Sequence, residues 1–267
     1  MAVKAWKWQR PTRSGRLSVR WWLGLLGFAL LLGITAVMVD LNLVHLVKSS
    51  GNLVRFMGHW LTMPEWSYFP TLGSKLLETV EMGAVSTAIA MVLSLPLGVL
   101  AARNTSPHPV IYHATRNLLS LMRALPELVW ALVFVSAVGL GPLPGVMALV
   151  FVTTGFLGKF FSESIEVVNG SSVVGVQSTG AGWFQTLMLA VFPLALPDFI
   201  GTLLYILDHN VRSATVLGVV GAGGIGYELV MSLRLFNYGR LILIATAIYI
   251  VVTLLDRSSD RVRSRVI

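Results

Sequence analysis

Long stretches without a charged side chain restrict the possible folds of this chain more than any other feature. Residues 21–39, 82–102 and 128–158 contain no Asp, Glu, Lys or Arg. A helix that crosses a bilayer needs roughly 20 mostly apolar residues, and the last stretch is long enough for two shortened or overlapping spans. Charged residues make up 12% of the chain against about 25% in soluble domains, too few to cover a water-facing globule. The sequence therefore predicts a polytopic membrane protein.

Six membrane-spanning helices fit the apolar runs, which gives an all-α fold class. They are predicted at residues 21–40, 79–101, 117–139, 143–161, 190–211 and 236–256. Between the first two, residues 41–63 place apolar side chains mostly three and four positions apart. This spacing suits a helix lying in the outer interface, and an ordinary packed linker is the alternative.

The basic residues predict the orientation of the spans. Net charge is +8, but the basic residues lie beside the spans, so we expect the bilayer and not nucleic acid as the partner. With six spans both termini share a side, and 14 of the 20 Lys and Arg fall on it: six at the N-terminus, Arg103, Arg116, Arg123, Lys159 and four at the C-terminus. Cytoplasmic segments carry such an excess, so both termini are predicted to be cytoplasmic. The first run is too long for a signal peptide and is predicted to be retained.

The segment between the fourth and fifth spans is uncharged but too polar and glycine-rich to face lipid. It predicts a cytoplasmic loop with a short helix. Gly180-Ala181-Gly182-Trp183-Phe184-Gln185 and the later Phe192-Pro193 resemble the "EAA" loop of ABC importer permeases, although Val174-Gly175-Val176 stands at the E-A-A positions. The resemblance implies that this loop, about residues 167–190, docks on an ATPase subunit. The implied coupling residues are Val174, Gly175, Val176, Gln177, Ser178, Thr179, Gly180, Ala181 and Gly182.

A second resemblance, to phosphonate-type ABC permeases, lies between the last two spans. Asn210 to Gly218, running into Gly221 to Leu229, is similar to the corresponding segment of that group, as are Arg123 to Trp130 and Ala101 to Asn104. The similarity covers roughly residues 80–257. It implies a type I ABC importer permease fold in a bacterial inner membrane, and phosphonate, phosphite or phosphate as the solute.

The same resemblance implies the partners and the domain organisation. The permease is expected to form a homodimer, to bind two ATPase subunits that hold ATP and Mg, and to receive solute from an extracytoplasmic binding protein. Residues 1–75 would form a basic cytoplasmic N-terminus, the first span and an outer amphipathic loop. Residues 76–257 would form the core transmembrane domain, and residues 258–267 a basic cytoplasmic tail.

The glycine-rich segment before the last span is predicted to form a gate. Glycine permits close helix approach and positive φ, and irregular backbone inside a membrane must be buried in protein or line a water-filled cavity. The candidate gate and pathway residues are Arg212, Ser213, Ala214, Thr215, Gly218, Gly221, Gly223, Gly224 and Gly226. Arg212 is expected to pair with Asp208, four residues earlier, or to face the pathway. Arg123 and Glu127, with the same spacing, are expected to form a structural pair.

A membrane-embedded enzyme is the alternative from another class. The run 221–226 matches G-x-G-x-x-G, but no acidic residue follows about 20 positions later, as a dinucleotide-binding fold requires. The five histidines, His45, His59, His108, His113 and His209, fall singly, and the chain has no cysteine. We therefore expect a transport subunit without a catalytic site, metal or cofactor of its own. An ABC permease for another small solute, such as an amino acid, also remains open.

Overall fold

The fold consists of α-helices joined by short turns. A computed structural model describes residues 19–39, 43–59 and 63–266, and these contain no strand. The helices are α1 (Val19–Met38), α2 (Leu43–His59), α3 (Phe69–Ala101), α4 (Pro109–Met122), α5 (Glu127–Val138), α6 (Pro142–Val167), α7 (Gly170–Gln177), α8 (Trp183–Thr186), α9 (Phe192–Leu217), α10 (Gly224–Arg234) and α11 (Tyr238–Val266). The chain divides after Gly58 into two compact units, and the second contains α3 to α11.

Five helical segments are long and apolar enough to cross a bilayer. In the described part of the chain these are Trp21–Met38, Trp66–Ala101, Pro142–Val167, Trp183–Val220 and Tyr238–Arg261. The pair α4 and α5 makes a sixth if it is counted as one span. The predicted all-α polytopic fold is confirmed. The predicted interfacial segment contains the helix α2, and α11 extends through most of the predicted C-terminal tail.

The third predicted span, residues 117–139, is broken into α4 and α5, which meet at 83°. The break lies at Arg123 to Pro126. Proline has no amide hydrogen to donate and disfavours helical backbone at the preceding residue, so a helix rarely runs through it unchanged. Pro126 has φ −57° and ψ 148°, and α5 begins directly after it.

Small residues allow α3, α4, α6 and α9 to approach closely. A Cβ atom on Gly83 of α3 would lie 2.5 Å from Cγ2 of Val211 in α9, and one on Gly158 of α6 would lie 2.7 Å from Cδ2 of Leu119 in α4. Lipid offers no hydrophobic gain for joining helices, so membrane bundles rely on close van der Waals packing at such positions. These glycines therefore fix the positions of the helices that carry the candidate site.

A buried polar link also connects three of these helices. Asn210 of α9 accepts a hydrogen bond from Thr153 Oγ1 of α6 at 2.8 Å and donates one to Thr87 Oγ1 of α3 at 2.9 Å. Its side chain is almost fully buried. Interhelical hydrogen bonds of this kind contribute about 0.6 kcal/mol each on average in a membrane protein, and they also fix helix register.

A polar cluster joins the segment before α3 to the start of α11. Arg240 Nη2 donates to Glu65 Oε1 at 3.1 Å, and Asn237 Nδ2 donates to Glu65 Oε2 at 2.8 Å. The Arg240 guanidinium also lies 4.4 Å from the centre of the Tyr68 ring. These hydrogen bonds, first from Arg240 and then from Asn237, hold the pKa of Glu65 below its usual range.

Candidate functional site

The predicted coupling loop contains an exposed helix, α7. Asn169 begins it, because its Oδ1 accepts a hydrogen bond from the amide of Ser171 at 3.0 Å, the standard role of an N-cap side chain. None of its residues is buried. Val173 nevertheless packs partly against the bundle core, so the helix has an inner and an outer side. The prediction of a short helix in this loop is confirmed.

Gly180 forms the turn that ends this exposed segment. Its φ is +84°, a left-handed conformation that residues other than glycine and asparagine rarely adopt. Its amide donates a hydrogen bond to Gln177 O at 3.0 Å. A Cβ atom there would meet nothing within 4 Å. The requirement for glycine at this position is therefore one of backbone conformation and not of space.

Trp183 anchors the second half of the loop. Its Nε1 donates to the carbonyl oxygen of Thr105, in the corner between α3 and α4, at 3.1 Å. Gln185 Oε1 accepts from the amide of Gly182 at 2.9 Å, which caps α8. A π-helical turn, Leu187–Val191, then leads into α9. Sequence reasoning missed the contact with Thr105, because its partners are 78 positions apart.

The predicted gate segment is a tightly packed break between α9 and α10. A 3-10 turn, Gly218–Val220, follows α9, and Gly221, Gly223 and Gly224 all have positive φ. A Cβ atom on Gly226 would overlap the carbonyl oxygen of Thr215, and one on Gly218 would overlap the backbone of Gly226 and Tyr227. Close packing of α9 on α10 is thus one use of these glycines.

Hydrogen bonds tie this break to neighbouring elements. Gly224 N donates to Glu78 Oε1 at 3.0 Å, and Ile225 N donates to Thr79 Oγ1 at 2.8 Å, both in α3. Gly141, in the turn between α5 and α6, donates to Gly221 O at 3.0 Å. Of the predicted gate residues, Ser213, Ala214, Gly218, Gly224 and Gly226 are buried inside the subunit. Val219 lies in the same segment, although it was not among the predicted gate residues, and it is about half exposed.

Arg212 pairs with two carboxylates. Its Nη2 lies 2.7 Å from Asp208 Oδ2, the predicted partner, and 3.2 Å from Asp256 Oδ1 of α11. The Arg212 side chain is 54% exposed and that of Asp208 is 14% exposed. The sequence predicted the partner in the same helix, Asp208, but not Asp256. The position of Asp256, an ionisable residue at the end of the last apolar run, was the signal that could have suggested a partner.

The predicted pair of Arg123 and Glu127 is wrong. The two residues lie on opposite sides of the break between α4 and α5, and the described residues contain no ion pair between them. The Arg123 guanidinium lies 5.1 Å from the centre of the Phe156 ring in α6. Glu127 instead accepts a hydrogen bond from Ser213 Oγ at 2.8 Å, which links α5 to α9, and Ser213 Oγ is 3.4 Å from His209 Nε2.

One face of α9 carries a polar stripe, which we define as Asp198, Tyr205, His209 and Arg212. At 100° per residue these positions fall within a narrow sector of the helix. Asp198, Tyr205 and Arg212 are exposed and His209 is partly exposed. Asp198 has no ion-pair partner in the described ranges. Ionisable groups in a membrane-spanning helix face protein or a water-filled cavity, so this stripe requires one of these beside it.

The helical bundle is that of a multi-pass integral membrane protein with the type I ABC importer permease fold. No group of three potential metal ligands occurs among the residues that the structure describes. The chain belongs to the family of binding-protein-dependent transport system inner membrane components, whose profile matches residues 94–267.

Relatives and solved structures agree with this family. The phosphite transport system permease protein PtxC of Stutzerimonas stutzeri is 42% identical over 200 residues, 75% of this chain and 73% of that protein. The phosphate-import permease protein PhnE of Mycolicibacterium smegmatis is 44% identical over 190 residues, 71% of this chain but only 36% of that protein. The inward-facing MetNI methionine ABC transporter matches the fold with a TM-score of 0.67 at 21% identity, over 76% of this chain and 99% of that chain.

Proposed function

We propose that this chain is the permease subunit of an ATP-driven importer for phosphonate, phosphite or phosphate. The observation that carries this proposal is its 42–44% identity to permeases named for phosphite and phosphate transport, over more than two thirds of the chain. The candidate function is transport and not catalysis. ATP and Mg would be held by separate ATPase subunits, and an extracytoplasmic binding protein would deliver the solute.

The exposed helix α7 supports coupling to an ATPase. None of its residues is buried, and the turn that follows it has Gly180 at a φ that most other residues adopt only with strain. The anchor of Trp183 on Thr105 holds the following segment to the corner between α3 and α4. Movement imposed on α7 would therefore be transmitted to α9 and to that corner. Residues 174–182 remain the proposed coupling segment.

The polar stripe of α9 supports a pathway between two copies of the chain. The ionisable side chains of the stripe would cost free energy if they faced lipid, whereas a second copy of the chain or a water-filled pathway would accommodate them. In a symmetric dimer the same surface of each copy meets its counterpart, so two stripes would line one passage. Arg212 is about half exposed and lies beside two carboxylates. It is the cation of the stripe that an oxyanion in this passage would meet.

The dimer proposal is tested by cysteine cross-linking, since the chain has no native cysteine. Val219 is about half exposed. A cysteine at this position, Val219→Cys, is expected to cross-link two copies in the absence of nucleotide, and to cross-link them less when nucleotide is trapped. Ala214→Cys, fully buried, is the matched control and should not react. Absence of cross-linking at Val219 in both states would exclude this region as the contact.

The transport proposal is tested by reconstitution with the ATPase and the binding protein in liposomes. Uptake of labelled phosphite, phosphate and methylphosphonate should require ATP and the binding protein. Methionine serves as the comparison solute. ATP-dependent uptake of methionine with none of the phosphorus oxyanions would refute the proposed solute class.

Reporter fusions after Ile267 and within residues 45–70 should report opposite sides, with the C-terminus cytoplasmic.

A further inference from the structure

A cleft beside the corner between α3 and α4 plays no part in the proposed pathway. Its volume is about 480 Å³, within the range of small-molecule sites, roughly 300–1,000 Å³. It is lined by Arg103, Ser106, His108, Pro109, Tyr112 and His113. Five of these six side chains can donate a hydrogen bond, one is permanently cationic, and none is acidic. The lining therefore favours an anion.

Arg103 is held by its backbone and not by its side chain. Its amide donates to Glu166 Oε1 at 2.7 Å, and Asn104 Nδ2 donates to Ile165 O at 2.9 Å, so both residues fasten this corner to the end of α6. The guanidinium is exposed and forms no ion pair within the described ranges. Glu166 is itself paired with Arg116 at 3.3 Å, so its charge is already neutralised at the edge of the cleft.

His108 has a defined role in its neutral form. Its Nδ1 accepts a hydrogen bond from the amide of Val110 at 3.1 Å and caps α4. A nitrogen that accepts carries no proton, so the proton of the ring is on Nε2, which is left as a donor. His108 therefore offers its Nε2–H to an anion while its Nδ1 caps α4.

We propose that this cleft binds a phosphoryl group, carried either by the headgroup of an anionic phospholipid or by a free phosphate anion. A guanidinium matches phosphate oxygens with two parallel N–H donors, and the hydroxyl and imidazole donors supply further contacts. Exposed Val110 and Ile111 lie on the adjoining turn of α4, an apolar surface beside a basic pocket that suits a lipid. The proposal does not depend on which solute is transported.

The site lies close to the coupling loop. Thr105, between Arg103 and Ser106, accepts the hydrogen bond from Trp183. A bound phosphoryl group would thus order the same corner that anchors the loop, and lipid or phosphate would act on the permease at its coupling end.

Native mass spectrometry of the purified full-length chain tests the lipid source. The chain is mixed with equal amounts of phosphatidylglycerol and phosphatidylethanolamine. We expect selective retention of phosphatidylglycerol by the parent and at least about tenfold weaker retention by Arg103→Gln, since a hydrogen bond to a charged group is lost. Lys159→Gln is the matched control, because it removes the same charge from α6, where Lys159 pairs with Glu163 outside the cleft.

Phosphorus NMR of inorganic phosphate tests the free-anion source. Line broadening by the parent that is lost in Arg103→Gln, without lipid selectivity, would assign the cleft to a free anion. Arg103→Lys keeps the charge without the planar fork and should retain part of the binding, which provides a second measurement if Arg103→Gln fails to fold. Equal lipid retention and equal broadening in the parent, Arg103→Gln and Arg103→Lys would overturn the proposal.

Discussion

Replacing Arg212 with glutamine separates a structural role from a role in anion passage. Arg212 Nη2 is 2.7 Å from Asp208 and 3.2 Å from Asp256, so the single cation holds two carboxylates from α9 and α11 together. In Arg212→Gln the mostly buried Asp208 loses its only ion-pair partner among the described residues. The variant is therefore expected to be less stable, whatever the role of Arg212 in transport.

The size of the loss follows from the exposure of the two partners. Exposed pairs spaced four residues apart contribute about 0.3–0.5 kcal/mol, whereas removing one partner of a buried pair costs about 3–5 kcal/mol. Asp208 is 14% exposed and Arg212 is 54% exposed, so this pair is intermediate between an exposed and a buried pair. We expect a loss of about 1–2 kcal/mol, or a fall in melting temperature of about 2–8 °C. Lys159→Gln is the control and should change little, because the carboxylate that it leaves without its partner, Glu163, is 50% exposed.

The double variant Asp208→Asn/Arg212→Gln decides between the two roles. It removes the uncompensated carboxylate, so the melting temperature should return close to that of the parent. If Arg212 contacts the anion, uptake stays low although stability is restored. If Arg212 only neutralises Asp208, stability and uptake recover together. Parent-like stability and uptake in the single variant would refute the reasoning for both roles.

Three further predictions concern the coupling loop, the break after α9 and the polar cluster around Glu65. Gly180→Val places a β-branched residue at φ +84° and should abolish transport-linked ATP hydrolysis while the chain remains inserted; normal stimulated hydrolysis would remove the coupling assignment. Gly226→Ala should destabilise the chain by more than 2 kcal/mol, read as a lowered melting temperature, whereas Gly73→Ala, with nothing within 4 Å, should be neutral or stabilising by about 0.5–1 kcal/mol. Because the pKa of Glu65 is lowered on folding, its stabilising contribution is full above about pH 4.3 and declines as pH falls through the lowered pKa. Glu65→Gln should lose that part of the acid dependence of melting, and an unchanged pH profile would contradict it.

The sequence predicted the all-α fold, and five of the six spans as single segments, because both depend on local composition. An uncharged run of about 20 residues has few alternatives to a spanning helix, and the polar, glycine-rich stretch after α6 was distinguishable from one. The break between α4 and α5 was only partly visible. A proline such as Pro126 is a sequence signal for a helix break, but the 83° angle also depends on how Arg123 and the end of α4 pack on α6, which no local pattern reveals.

The i, i+4 rule succeeded for one predicted ion pair and failed for the other for the same physical reason. Asp208 and Arg212 lie within the uninterrupted helix α9, so the spacing brings them to one face. Arg123 and Glu127 lie on either side of a break, so the spacing no longer describes neighbours. Asp256 lies 44 positions from Arg212, and only the packing of α11 on α9 brings them together.

The packing after α9 restricts how the proposed pathway between two copies could open. Gly218 and Gly226 approach through backbone atoms, and Gly224 is hydrogen-bonded to α3, so α3, α9 and α10 separate only if these contacts break. We therefore expect this block to move as a unit, with the change in contact confined to its exposed face, where Arg212 and Val219 lie. Helix α7 is connected to the same block through α8 and the π-helical turn. An ATPase that moves α7 would then displace the polar stripe without remodelling the glycine-rich break.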